Sequence, residues 1–262
     1  ADYPEANAIV IHDVCSLIVR NSGIEITRWK RMKLLTKAGA DEIGDVGFPY
    51  YEDDKVRDLK AQTITPDGKA IKLTSKDYFT KTIGGTKLRT FAFPGLDSGC
   101  IVEFQYRNLN TRFRHLDPWF FQSEVYTLKS QFTLIVGPGF TYSASWSNVP
   151  MSSRTAKTGQ MPNADDPPQP FKTYTWELSN LSPVTEEPYM AAKWDFYSAM
   201  YYQLVSYKDM YNTINFVRNW KDLGKEFQEY IDEYARGSNI EKRAGELTTG
   251  MSDLHQKAQA LY

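Results

Sequence analysis

The sequence predicts a mainly β fold: a large two-sheet antiparallel β-sandwich over residues 1–209, followed by a short helical segment over residues 210–262. Three observations carry this. Up to about Val184, short apolar or alternating runs are separated by turn signals rich in Gly, Pro, Asn and Asp. Aromatic residues make up 14% of the chain, chiefly 17 Tyr and 14 Phe, and these side chains favour pleated, half-buried surfaces. Beyond Tyr207 the apolar period changes from that of a strand to that of a helix.

Ala8-Ile9-Val10-Ile11 and Ser16-Leu17-Ile18-Val19 read as two short apolar runs. Asn21-Ser22-Gly23 gives a hairpin turn into residues 25–35. There Ile26, Arg28, Lys30 and Met32 fall on one face and Thr27, Trp29, Arg31 and Lys33 on the other, which predicts a long strand with a wet side. Thr65-Pro66-Asp67-Gly68-Lys69 is a stronger turn: proline presets φ, Asp bonds its own backbone and Gly takes the left-handed position. Its flanks, residues 60–64 and 70–73, pair as a hairpin. Further strands are expected at residues 87–93, 100–106, 121–126, 130–136, 140–146 and 171–178, with Pro94-Gly95 and Gly137-Pro138-Gly139 as breaks. Residues 147–169, rich in Ser, Asn, Asp, Gly and Pro, read as a loop with a turn-rich excursion inside the same domain.

After residues 203–207, Trp220, Leu223, Phe227, Tyr230, Ile231 and Tyr234 follow helical spacing, with Gly237 as C-cap. A second helix is expected from Ile240 to Thr248 and a third from Ser252 as N-cap, with Asp253 favouring the positive helix start. The chain stops inside this last helix, as a truncated protein would. No internal repeat of fixed period is visible.

A net charge of -1, from 31 basic and 32 acidic residues, takes weight from nucleic-acid binding, which calls for a basic excess. No run approaches the roughly 20 apolar residues of a membrane span. The start Ala1-Asp2-Tyr3-Pro4 fits a mature exported protein whose signal was removed, so a periplasmic or extracellular location is expected.

Several stretches come together in a characteristic order. They are Leu34-Leu35-Thr36-Lys37-Ala38-Gly39-Ala40, Pro66-Asp67-Gly68-Lys69, Thr90-Phe91-Ala92-Phe93-Pro94-Gly95 with Gly99-Cys100-Ile101-Val102-Glu103-Phe104, Glu187-Pro188-Tyr189-Met190, and Trp220-Lys221-Asp222-Leu223-Gly224. In these the chain resembles, over nearly its whole length, the N-terminal domain of unknown function that precedes a transglutaminase-like domain in exported bacterial proteins. The resemblance implies a large β-sandwich in front of a domain with a transglutaminase or papain-like Cys-His-Asp arrangement. It also implies that this chain ends before that catalytic cysteine. No catalytic residue of the family maps onto a position here, and the glycine-aspartate-cysteine signature around the nucleophile is absent.

The residues themselves agree. A nucleophilic cysteine needs a helix N-terminus or a neighbouring cation to lower its pKa, and a histidine partner. Cys100 instead follows a Pro-Gly and Ser-Gly corner at the start of a strand, and Cys15 sits in another strand. Both read as buried strand residues; a Cys15–Cys100 disulfide would need an oxidising compartment and Cα atoms within roughly 7 Å. His12, His115 and His255 lack metal-ligand spacing with one another or with Cys. Glu52-Asp53-Asp54 and Asp165-Asp166 lack calcium-loop spacing, while Glu186-Glu187 is a candidate for one carboxylate of a glycosidase pair. No catalytic, cofactor or metal residue is assigned.

Pro118-Trp119-Phe120-Phe121 and the aromatics from Tyr189 through Trp194, Phe196 and Tyr197 to Tyr201-Tyr202 exceed what strand alternation can bury. Most are expected in the inter-sheet core, and a surface share could stack on a glycan or dock a partner. The leading expectation is a non-catalytic module that positions a downstream transglutaminase-like domain on an envelope protein or glycan. The alternatives are a glycan-active hydrolase using cleft carboxylates and a stand-alone carbohydrate-binding module.

Overall fold

The computed structural model describes residues 3, 5–51, 54–83, 86–113, 116–161, 170–216, 219–235 and 238–262. In chain order its strands are β1 (Ala8–Arg20), β2 (Gly23–Leu34), β3 (Asp45–Tyr50), β4 (Lys55–Ile64), β5 (Ala70–Lys72), β6 (Phe79–Ile83), β7 (Thr86–Ala92), β8 (Ile101–Asn110), β9 (Trp119–Phe120), β10 (Tyr126–Val136), β11 (Phe140–Ser147), β12 (Lys157–Met161), β13 (Phe171–Leu181), β14 (Ala199–Lys208) and β15 (Thr213–Asn215). The helices are α1 (Gly39–Ile43), α2 (Trp220–Ala235), α3 (Ser238–Leu247) and α4 (Leu254–Leu261). The chain divides into two compact units, Ala1–Thr213 and Ile214–Tyr262.

The fold is mainly β, as expected, but the first unit is built from three sheets. An eight-stranded sheet runs β12-β13-β10-β1-β2-β8-β4-β5; smaller sheets join β11, β14 and β9, and β3, β7 and β6. Pairing in the large sheet is antiparallel except between β1 and β10, which run parallel with Cys15 opposite Phe132 and Leu17 opposite Leu134.

Ala8–Ile11 and Ser16–Val19, two runs in the sequence, form one strand. The register slips between Val10 and His12, so Ile11 is an extra residue in the ladder. A single-residue bulge returns the following side chains to the face they would otherwise leave. Ala8, Val10, Asp13, Cys15, Leu17 and Val19 therefore all look to the same side and are all buried. The two-residue turn at Asn21-Ser22 pairs Arg20 with Gly23, as expected.

That side of the large sheet carries two apolar clusters. One gathers Cys15, Leu17, Ile24, Phe132, Leu134 and Trp176 with Trp119, Phe121 and Met200 from the β9–β14 side. The other gathers Val10, Met32, Val102 and Phe104 with Ile43, Phe48, Phe91 and Phe93 from α1, β3 and the end of β7. Each fully buried Phe or Leu contributes about 1.5–3 kcal/mol, so both clusters are substantial cores. The opposite side of the sheet is wet, with Arg31 paired to Glu103 and Lys129 to Glu177.

Three local expectations fail. Of the strand expected at residues 121–126 only Tyr126, the first residue of β10, is in a strand; before it, side-chain bonds to backbone groups stand in place of a ladder. Gln122 donates to the Ser182 carbonyl and accepts from the Ser198 N–H, and the Ser123 hydroxyl turns back to the Val125 carbonyl. The region 147–169 is not wholly loop, since Lys157–Met161 pairs with β13 as an edge strand whose exposed, polar residues give little apolar signal. The N-cap of α4 is Asp253 rather than Ser252: its carboxylate accepts from the Gln256 N–H. Gly237 lies outside the described residues.

In the second unit, the Asn219 side chain caps α2 by accepting from the Asp222 N–H. Trp220, Phe227, Ile231 and Tyr234 along α2 are all exposed, as are Ile240 on α3 and Leu254 on α4.

Candidate functional site

Between the two apolar clusters, the covered side of the large sheet is charged. Register places Lys30 opposite both Asp13 and Phe104, and Arg28 opposite both Cys15 and Tyr106. The alternation that buries Ile24, Met32 and Leu34 therefore also turns Arg28 and Lys30 inward. They converge on Asp13. Arg28 donates from Nε to Oδ1 at 2.9 Å and from Nη2 to Oδ2 at 2.7 Å, and Lys30 Nζ lies 3.3 Å from Oδ2. Arg28 also lies over the Trp119 ring, 5.0 Å from its centre. The side chains of Asp13 and Lys30 are 7% and 16% exposed, so these are interior charges.

Their titration follows from this packing. Burial pushes the Asp13 carboxyl up, but the two cations outweigh it and hold it below its ordinary value. Burial pulls Arg28 down, and the bidentate bond to Asp13 more than restores it. Lys30 is held low: burial lowers it, Arg28 adds to that, and its share of Asp13 does not compensate. Buried ions are tolerated when paired, and one carboxylate here serves two cations.

Arg28 and Lys30 open on one side into a cleft of about 550 Å³, within the range of small-ligand sites. Its lining includes Met32 and Phe104 from the sheet, Glu42, Asp45 and Val46 around α1 and β3, Ser123 to Val125 before β10, and Pro183 to Glu186 with Lys193. The last group belongs to a strap, residues 182–198, joining β13 to β14. The strap is pinned at its far end: Asn148 donates to the carbonyls of Asp195 and Tyr197, and Lys193 donates to Glu124 at 2.7 Å. Glu186 lies 3.7 Å from the same ammonium. At the strap's apex Tyr189 takes φ 67, a left-handed conformation that costs a bulky residue about 1–2 kcal/mol, and its ring is fully exposed. Trp194 and Phe196, further along the strap, are also exposed.

The structure scatters the other sequence candidates. Cys100 is 1% exposed, with its Sγ 3.8 Å from the Gly95 carbonyl oxygen, in the sheet corner expected for it. Cys15 is buried in the other cluster, where burial pushes its thiol up to about 12. Both thiols are free. His12 stacks on Trp29 on the wet side of the sheet, and burial and neighbouring cations hold its pKa low. His255 is exposed on α4, while His115, Glu52, Asp53, Asp165 and Asp166 lie outside the described residues. Asp54 binds Arg112 and accepts from Asn108. Among the described residues no group of three His, Cys, Asp or Glu side chains could hold a metal ion.

Of the aromatics, Trp119 and Phe121 are core residues, whereas Tyr189, Trp194, Phe196 and Tyr201 are exposed. Of Glu186 and Glu187, Glu186 lines the cleft. The Asp13–Arg28–Lys30 group escaped sequence reasoning. The signal was present: cations at alternate positions of a strand whose outer positions on that face are apolar, and an acid amid the apolar run of β1.

Comparison with curated proteins gives no match. Among solved structures, a chain from Parabacteroides distasonis described as a putative protease aligns with a TM-score of 0.71 at 14% identity, over 97% of this chain and 49% of that one. At that identity the likeness shows the fold alone, and this chain spans about half the length of that relative. Two looser alignments are too distant in geometry to bear on the fold. One is to a CBM3a-L domain with flanking linkers from a cellulosome scaffoldin of Clostridium thermocellum, with a TM-score of 0.26 at 16% identity over 40% of this chain and 68% of that one. The other is to a putative nutrient binding protein from Legionella pneumophila, with a TM-score of 0.33 at 8% identity over 75% and 68%. The family model of a domain of unknown function with a solved structure, DUF3857, matches residues 21–185. That match runs from the β1–β2 turn through Arg28 and Lys30 and into the strap, with Asp13 outside it; it covers more than half of the sequence, and the chain belongs to the DUF3857 family.

Proposed function

We propose that this chain is a non-catalytic binding module of a longer exported protein, acting in the periplasm or outside the cell. It positions a downstream transglutaminase-like domain on a protein or glycan target. The observation that carries this is the apolar stripe of α2, where Trp220, Phe227, Ile231 and Tyr234 are 87%, 59%, 55% and 71% exposed. Leaving that much apolar surface in water forgoes stabilisation of about 25 cal/mol per Å², and such stripes mark interaction sites. The relative described as a putative protease extends over about twice the matched length, which supports a second half to receive that stripe. The strap aromatics Tyr189, Trp194 and Phe196 form the target-facing surface, since rings held rigidly in water bind at low entropic cost.

The test is to extend the chain with the following domain of its own reading frame and to follow α2 by hydrogen exchange. Protection of α2 in the longer protein, with no turnover of peptides or polysaccharides by residues 1–262 alone, is the expected result. Turnover by this chain that a single Asp or Glu substitution abolishes would establish the hydrolase alternative instead. The exposure of Trp194 also favours a stand-alone carbohydrate-binding module. Glycan binding that Trp194→Ala removes, with α2 unprotected in the longer protein, would select it.

A further inference from the structure

The binding-module reading leaves the ligand of the cleft unnamed, and the inference here rests on that reading. The floor carries two cations, Arg28 and Lys30, on one carboxylate. Both oxygens of Asp13 are engaged by Arg28, and among the described residues no second carboxylate lies within ion-pair distance of Lys30. A buried charge without a full partner is costly, so the floor favours an incoming anion. The rim has the opposite sign. Glu42, Asp45, Glu124 and Glu186 line the same cleft, with Lys193 shared by Glu124 and Glu186. A small ligand satisfying both regions carries an anion at one end and a cation at the other.

We propose that the cleft binds a short zwitterionic peptide, its carboxylate on Lys30 and Arg28 and its ammonium among the rim carboxylates. The walls suit small apolar side chains, because Met32, Ile43, Val46, Val125 and Val184 line the same cleft. A cleft of about 550 Å³ takes a peptide of a few residues. A uronic acid would meet the floor but offers the rim no cation.

Isothermal titration of the chain with trialanine tests this, alongside trialanine amide, N-acetyltrialanine and glucuronate. Trialanine is expected to bind one to one. Amidation and acetylation are each expected to weaken binding roughly tenfold or more, the loss of a charge-assisted contact. Lys30→Met should abolish binding while the melting temperature holds or rises, because Asp13 keeps its bidentate Arg28 partner. A purely structural Lys30 would give a lower melting temperature and unchanged binding, which would overturn the proposal. If Lys30→Met fails to fold, Glu186→Gln at the exposed rim carries the test, and it should narrow the preference for the free amine. No binding of trialanine, equal binding of its amide, or tighter binding of glucuronate would also overturn it. A protein that ignores trialanine yet shows protection of α2 in its longer form would end this inference and leave the positioning role standing.

Discussion

At the residue scale, the determining feature is one carboxylate in the wrong company. Asp13 sits in a strand of Val, Ile and Leu, where an unpaired ion would cost several kcal/mol. It is tolerated because two cations reach it across the ladder. Removing the better partner exposes this dependence. Arg28→Met should destabilise the protein by about 3–5 kcal/mol in urea or thermal unfolding. The same variant should alter the acid limb. The folded pKa of Asp13 lies below its ordinary 3.8, so its contribution is fully present above that value and is lost as pH falls through the lower folded value. Without Arg28 the folded pKa rises, and the loss of stability should begin at higher pH. Acid titration followed by circular dichroism would read this shift, and an unchanged acid midpoint would contradict the assigned pairing.

At the element scale, the strands follow from patterns the sequence displays, and their irregularities follow from contacts it does not. The Thr65–Lys69 turn was legible because Pro, Asp and Gly each fix a torsion or a bond locally; Gly68 takes φ 87 as that turn requires. The bulge at Ile11 was not, because only pairing with β2 distinguishes one strand from two runs. The same holds for residues 121–125, whose apolar and aromatic content reads as strand until Ser182 and Ser198 arrive from far along the chain. The turn between β10 and β11 offers a direct check. Gly139 has φ 88, and a Cβ there would collide with the Lys208 carbonyl oxygen of β14. Gly139→Ala should lower stability by more than about 1 kcal/mol, read as a reduced midpoint in chemical denaturation with an unchanged m-value. A neutral result would mean that this corner is not rigid.

At the scale of the whole molecule, the first unit contains both apolar clusters, the cleft and the strap, all within residues 1–213. It therefore has what it needs to fold alone. A chain ending at Thr213 should melt within about 4 °C of the parent, a change of no more than about 1–2 kcal/mol. It should also keep the charged row intact. Residues 214–262 expressed alone should show weak, non-cooperative helicity, since short helices without a buried face are marginal in water. Circular dichroism on the two fragments measures both. Cooperative melting of the helical fragment by itself would show that its apolar stripe needs no partner.

The sequence by itself determined the class of structure. Side-chain alternation, turn residues and the change of period near Tyr207 are local properties, readable one stretch at a time, and the helical stripe of Trp220, Phe227 and Ile231 was visible in the same way. It also indicated, through the sheet-corner setting of Cys100, that this thiol is a packing residue. The tertiary structure alone decided that the large sheet carries two cores on one side, that β1 and β10 run parallel, and that Asp13, Arg28 and Lys30 meet between the cores at the floor of a cleft. These depend on strand register between distant segments, and register is set by how whole faces bury together rather than by any short run of residues.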